Sequence, residues 1–194
     1  EGNANKAEDS FLKINQLATK ISDAELELIQ NRNYAYAIAA RAIVRAGRGY
    51  NYWSSFDETT QKKIIAKSEE ANHLMFGQGM SITDDINSLP IGGAQMATFT
   101  LDVVTQSVKI CNGITKIDTA KAASENEVLK CVENTLIILQ YINSKEKFSL
   151  GLHPFIYFYS DIGKHKIGSY YGILQFVKYL VEHKKLNCFI EVRE

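Results

Sequence analysis

NRNYAYAIAARAIVRAGRGYNYW, residues 31–53, decides how this chain is read. From Tyr34 to Ala46 it is nearly all apolar: Ala35, Ala37, Ile38, Ala39, Ala40, Ala42, Ile43 and Val44. A helix apolar on most sides is normally buried. A buried helix over about 34–46 is therefore predicted, with Gly47 as its C′ residue. Four of the chain's five arginines, Arg32, Arg41, Arg45 and Arg48, lie in this stretch. Arg41, Arg45 and Arg48 follow i, i+4, i+7 spacing, so a helix sets them on one face. An arginine in a buried helix needs an anion. One candidate is a phosphate of nucleic acid or nucleotide, whose oxygens suit the planar fork. The other is a carboxylate of the preceding segment, Asp23, Glu25 or Glu27, which would make the arginines structural.

Outward from this stretch the pattern stays helical. Phe11, Ile14 and Leu17 recur at helical spacing and predict a short helix over 6–18. Ser22 with Glu25 forms a capping box, which starts a helix at Asp23 running to about Asn31. GRGYNYW reads as a turn with aromatic packing. Asp57 is a natural N-cap for a helix over about 58–75. Residues 77–92, with Gly77, Gly79, Pro90, Gly92 and Gly93, form the longest irregular stretch and read as a loop. A helix near 94–111 carries Met96, Phe99, Val103, Val104 and Val108 on a broad apolar face and stops at Asn112-Gly113. Ser124 and Glu127 form a second capping box, opening a helix to about Asn143. GLHPFIYFYSD, 151–161, has strand-forming residues, yet Pro154 suits the first position of a short helix, which is the expectation here. A strong helix follows over about 167–184, and CFIEV trails off behind it.

The 194 residues carry 22 basic and 22 acidic side chains, so nothing global advertises nucleic acid or an anionic membrane. Two prolines and twelve glycines suit long helices better than a sandwich or barrel. The fold class expected is all-α, or nearly so: one domain over 1–194, an irregular bundle of about six to eight helices. Cys111, Cys131 and Cys188 are odd in number and lack metal spacing, and read as reduced thiols, mostly core, in a cytoplasmic protein. No window is long and apolar enough for a transmembrane span, so no membrane is expected as a partner. The start at Glu1-Gly2-Asn3 suggests a cut piece of something longer.

FLKINQLATKIS, residues 11–22, resembles the F-x-x-I-N-x-x-G-T-x-L-S segment of proteins with a ParB-like, DGQQR/DGQHR-type domain. That superfamily includes modification-dependent restriction enzymes and phage-defence proteins. IAARAIVRAGRGYNYWSSFD and SLGLHPFIYFYSDIGKH resemble later segments of one subgroup. The likeness covers about 11–57 and 149–180, and the middle only by order and length. Ala18 stands where the family segment has glycine, and the Asp-Gly-Gln-Gln/His-Arg signature is absent. The resemblance implies a carboxy-terminal, helical region whose catalytic signature lies upstream, with the upstream ParB-like domain as partner in the same polypeptide. It also implies that Asn15, with His153, borders that domain's active centre; the plainer reading of Asn15 is a C-capping amide.

Lys164-His165-Lys166 and His153, around Tyr157 and Tyr159, form a second basic cluster that could face nucleic acid. A histidine before a helix-starting proline is more often a buried hydrogen-bonding residue. Tyr50, Tyr52, Trp53 and Phe56 read as core, or as a lid over the arginine helix, with base stacking the functional alternative. No catalytic constellation, phosphate loop or metal spacing is visible, and no cofactor is implied. The functional expectation is thus a helical accessory or DNA-engaging region, using Arg41, Arg45, Arg48, Lys164, His165 and Lys166 toward DNA. The alternative is a structural or oligomerisation module that binds only protein, with a homo-oligomer as one outcome.

Overall fold

A computed structural model describes residues 22–49, 52–77, 89–95, 97–115, 122–144 and 146–193. The helix expected over 6–18, Asn15, Tyr50, Met96 and most of the loop over 77–92 lie outside them. Among the described residues there are eight helices and no strand. They are α1 (Asp23–Gln30), α2 (Ala35–Val44), α3 (Glu58–Phe76), α4 (Ala97–Asn112), α5 (Glu125–Ile142), α6 (Pro154–Phe158), α7 (Ile167–Glu182) and α8 (Leu186–Arg193). The all-α, multi-helix architecture is as the sequence predicts.

Local chemistry fixes the helix starts. Both capping boxes form. Ser22 Oγ accepts the Glu25 N–H at 3.2 Å while Glu25 accepts the Ser22 N–H at 3.0 Å. Ser124 and Glu127 repeat the arrangement at the start of α5. Asp57 Oδ1 accepts from the N–H groups of Thr59 and Thr60 at 2.8 and 3.0 Å. Pro154 sits at the first turn of α6, where its missing N–H costs nothing.

The end of α2 departs from expectation. Ala46, not Gly47, takes the C′ position, with φ of 48°. Its N–H donates to Ile43 O at 3.0 Å, and the Gly47 N–H donates to Ala42 O at 2.9 Å, the two bonds of a Schellman turn. Gly47 is needed one residue later for another reason: a Cβ there would lie 2.9 Å from the Ile65 carbonyl oxygen. From α3, Asn72 Nδ2 donates to Ile43 O at 2.8 Å and to Val44 O at 3.4 Å, tying the last turn of α2 to α3. A second departure is at the end of the chain. The segment containing CFIEV does not trail off but forms α8, with Phe189 edge-on to Phe176 of α7 at 5.4 Å.

Packing radiates from α2, which rests on α3, α4 and α5. Ala37, Ala39, Ala40, Ala42 and Ile43 are wholly buried, and the small alanines let three neighbours approach one short helix. α4 and α5 carry α7 on their other side, and α6 and α8 flank α7. Two apolar clusters result among the described residues. The larger joins Ile43, Met75, Val104, Leu139, Phe158, Tyr170 and Leu174; the smaller gathers Ile38, Ala42, Ile64 and Val128 around Trp53. Polar groups in the interior are mostly paired. Ser107 Oγ donates to Val103 O at 2.7 Å and meets Tyr170 OH at 3.0 Å, joining α4 to α7. Asn112 Nδ2 donates to Val108 O at 2.9 Å and Cys131 O at 3.1 Å, joining α4 to α5.

Candidate functional site

The arginine stripe is not the continuous buried row its spacing predicts. α2 ends at Val44, so Arg45 is its C-cap and Arg48 lies beyond the Schellman turn. Arg45 and Arg48 are exposed, and Arg48 approaches Glu69 of α3 at 3.7 Å across open solvent. Arg41 alone is half-buried. Among the described residues it pairs with none of the carboxylates of the preceding segment, Asp23, Glu25 or Glu27. Its Nη2 donates to Leu28 O and its Nη1 to Arg32 O at 3.4 Å, so it caps the end of α1. Its guanidinium lies 4.4 Å from the centre of the Tyr52 ring, which is the lid the aromatic turn suggests. Burial pulls its pKa down, and Arg45 beside it adds to this, yet arginine is basic enough to remain a cation. Glu27 is engaged elsewhere: its Oε1 accepts from Tyr36 OH at 2.9 Å and Lys109 Nζ at 3.0 Å. Trp53 is fully buried and belongs to the core.

The Lys164–Lys166 cluster sits on the turn between α6 and α7. Its three members have different situations. His165 Nε2 lies 2.9 Å from Ile91 O, and its ring packs on Tyr159 at 5.3 Å and Tyr170 at 6.0 Å. Tyr159 OH donates to Pro90 O at 2.6 Å. Burial raises the Tyr159 hydroxyl pKa to about 12, so it stays a donor at neutral pH. His165 and Tyr159 therefore clamp Pro90-Ile91-Gly92-Gly93. Gly93 has φ of 86°, and a Cβ on it would come within 3.0 Å of the His165 ring, which explains glycine there. Lys164 and Lys166 are exposed, and Lys166 Nζ reaches Ile156 O at 3.4 Å. His153 is the N-cap of α6 without capping it, and its Nδ1 is buried with no partner among the described residues. No contact joining the two basic clusters occurs among the described residues: Arg45 caps α2, which packs on α3, α4 and α5, whereas Lys164 lies on the turn between α6 and α7.

No group of histidine, cysteine and acidic residues suited to a metal occurs among the described residues. The thiols are less uniformly core than expected. Cys111 is buried, Cys131 half-buried and Cys188 exposed. Burial raises the first two, to about 12 and about 11, which makes them poor nucleophiles. No described helix is long and apolar enough to cross a membrane.

Nothing in the residue pattern announces the most distinctive surface. Ile156, Tyr157, Phe176, Tyr179 and Phe189 are large, apolar and exposed along α6, α7 and α8, and Ile162 at the intervening turn is 82% exposed. Tyr157, Ile173, Phe176 and Phe189 line an apolar groove of about 140 Å³ with Leu150 and Leu152. On the opposite flank of α7, a shallower groove of about 400 Å³ runs along α4 past Gln106, Lys109, Lys178 and Glu182. The signal that could have found the apolar face is α7 itself: it is apolar nearly all round, and the sequence cannot say which side stays open. No family model, curated protein or solved structure matches this chain.

Proposed function

We propose that this chain is a helical protein-docking module whose contact face is the outer surface of α6, α7 and α8. The observation that carries the reading is the exposure of Tyr157, Phe176 and Phe189 around one apolar groove, with Ile156 exposed beside Tyr157 on α6. Monomeric surfaces rarely leave such a patch bare, and grooves of this kind receive apolar side chains of a partner helix. Photo-crosslinking in the producing cells tests it. A crosslinker at Ile156 or Phe176 is expected to give a discrete protein adduct, and one at Lys63 on the charged face of α3 none. The adduct should vanish when Phe189 is also replaced by serine. Absence of any discrete adduct from this face would remove the proposal.

A second reading keeps the DNA-engaging region of a ParB-like protein. It is favoured by the exposure of Arg45 and Arg48 together at the end of α2. With about two cations involved, log K should fall with log salt at a slope of about −1.8. Anisotropy of a labelled duplex measures this, and binding indifferent to Arg45→Ala would exclude it.

A further inference from the structure

We propose that the face just described closes on a second copy of this chain, α7 lying antiparallel on α7 of that copy. This rests on the docking reading and names its partner. Between Ile167 and Tyr179 the exposed positions of α7 are Gly168, Ser169, Gly172, Gln175, Phe176 and Tyr179, and none is charged. Lys178 is half-buried and held by Glu182. The contrast within the molecule is α3, whose solvent side shows Glu58, Lys62, Lys63, Glu69 and Glu70. Helix surfaces facing water normally look like α3. A strongly acidic or basic partner would find no counter-charge over these turns of α7. An identical uncharged face meets it without repulsion.

Shape points the same way. A Cβ added at Gly168 or Gly172 would meet nothing within 4 Å among the described residues, so none of them accounts for either glycine. Glycine inside a helix costs about 1 kcal/mol against alanine. On the outer face these two leave hollows, and next to them Phe176 and Tyr179 are 43% and 44% exposed, Phe176 edge-on to Phe189 and Tyr179 stacked on His183. A two-fold axis at the level of Leu174 sets Phe176 of each copy into the Gly172 hollow of the other. The same axis sets Tyr179 against Ser169. Both side chains find small residues in one register, and symmetry makes each contact twice.

Sedimentation equilibrium of the full chain over a wide concentration range tests this. A monomer–dimer equilibrium is expected. Gly172→Leu should weaken it by about tenfold or more while leaving the helical spectrum and melting temperature of the monomer intact or improved. Phe176→Glu should weaken it as well. Gly172→Lys, weak alone, should dimerise when mixed with Phe176→Glu, because the register places those positions opposite each other. A monomer at every concentration would overturn the second copy. So would a dimer untouched by both Gly172→Leu and Phe176→Glu. A monomer that still gives crosslinks to a different protein from Phe176 would leave the docking reading standing without this inference.

Discussion

Ala46 holds φ at 48° at the end of α2, a conformation that costs an L-residue about 1–2 kcal/mol. Two residues compete for the glycine role here, and the outcome is set by what lies outside the helix. Gly47 also has positive φ, and its α-carbon sits where Ile65 leaves no room for a side chain. Ala46 has the less crowded of the two positions and bears the strain. Ala46→Gly is therefore expected to stabilise the protein by about 0.5–1 kcal/mol, the relief of strain less the added freedom of the unfolded chain. Gly47→Ala should destabilise it by about 1–3 kcal/mol through strain and overpacking against α3. Thermal melts by circular dichroism check both signs. Equal effects of the two substitutions would mean that the Schellman turn has been placed one residue out.

Elements begin where their sequence says they begin, because capping is chemistry among residues three apart. Ser22 with Glu25, Asp57, Ser124 with Glu127, and Pro154 each marked a helix start in the sequence, and each stands there in the fold. Helix ends and the last helix were less legible. The end of α2 depends on the approach of α3, and α8 is short, with Phe189 against Phe176 as its visible tie to α7. Asp57 gives its cap a pH dependence. The Thr60 hydroxyl, followed by the Thr60 N–H, donates to its carboxylate and lowers its pKa from 3.8 to about 2. The folded state thus favours the ionised form. The stabilisation is present above the unfolded pKa near 3.8 and is lost as pH falls from there through about 2. Asp57→Asn should melt lower than the parent at neutral pH, and its melting temperature should fall less steeply between about pH 4 and pH 2. Parallel slopes for the two proteins would show that the cap does not titrate in this window.

At the level of the whole molecule, the all-α class was legible from sparse proline and glycine and from the alanine-rich helix at residues 35–44. The arginine spacing was legible too, but not its use. Arg41 is satisfied by carbonyls of Leu28 and Arg32, and a backbone carbonyl can come from any residue, so no side-chain pattern announces it. Exposure of one side of an apolar helix is likewise a property of the assembled bundle. What the assembly adds is a shared helix: α2 gives Ile43 to the larger cluster and Ile38 and Ala42 to the smaller one around Trp53. A helix common to both clusters cannot leave one without disturbing the other, so the two should unfold as a unit. Trp53, the chain's only tryptophan, is fully buried and reports on the smaller cluster by its emission. Its red shift in urea should coincide with the loss of the helical signal, which reports on the whole bundle. Ala40→Leu, placed in the larger cluster where α2 has no spare volume, should destabilise by about 1–3 kcal/mol and move both transitions together. A tryptophan transition that precedes the helical one, or stays in place when Ala40→Leu shifts the other, would divide the protein into two independently folding parts and reduce α2 from a common core to a linker.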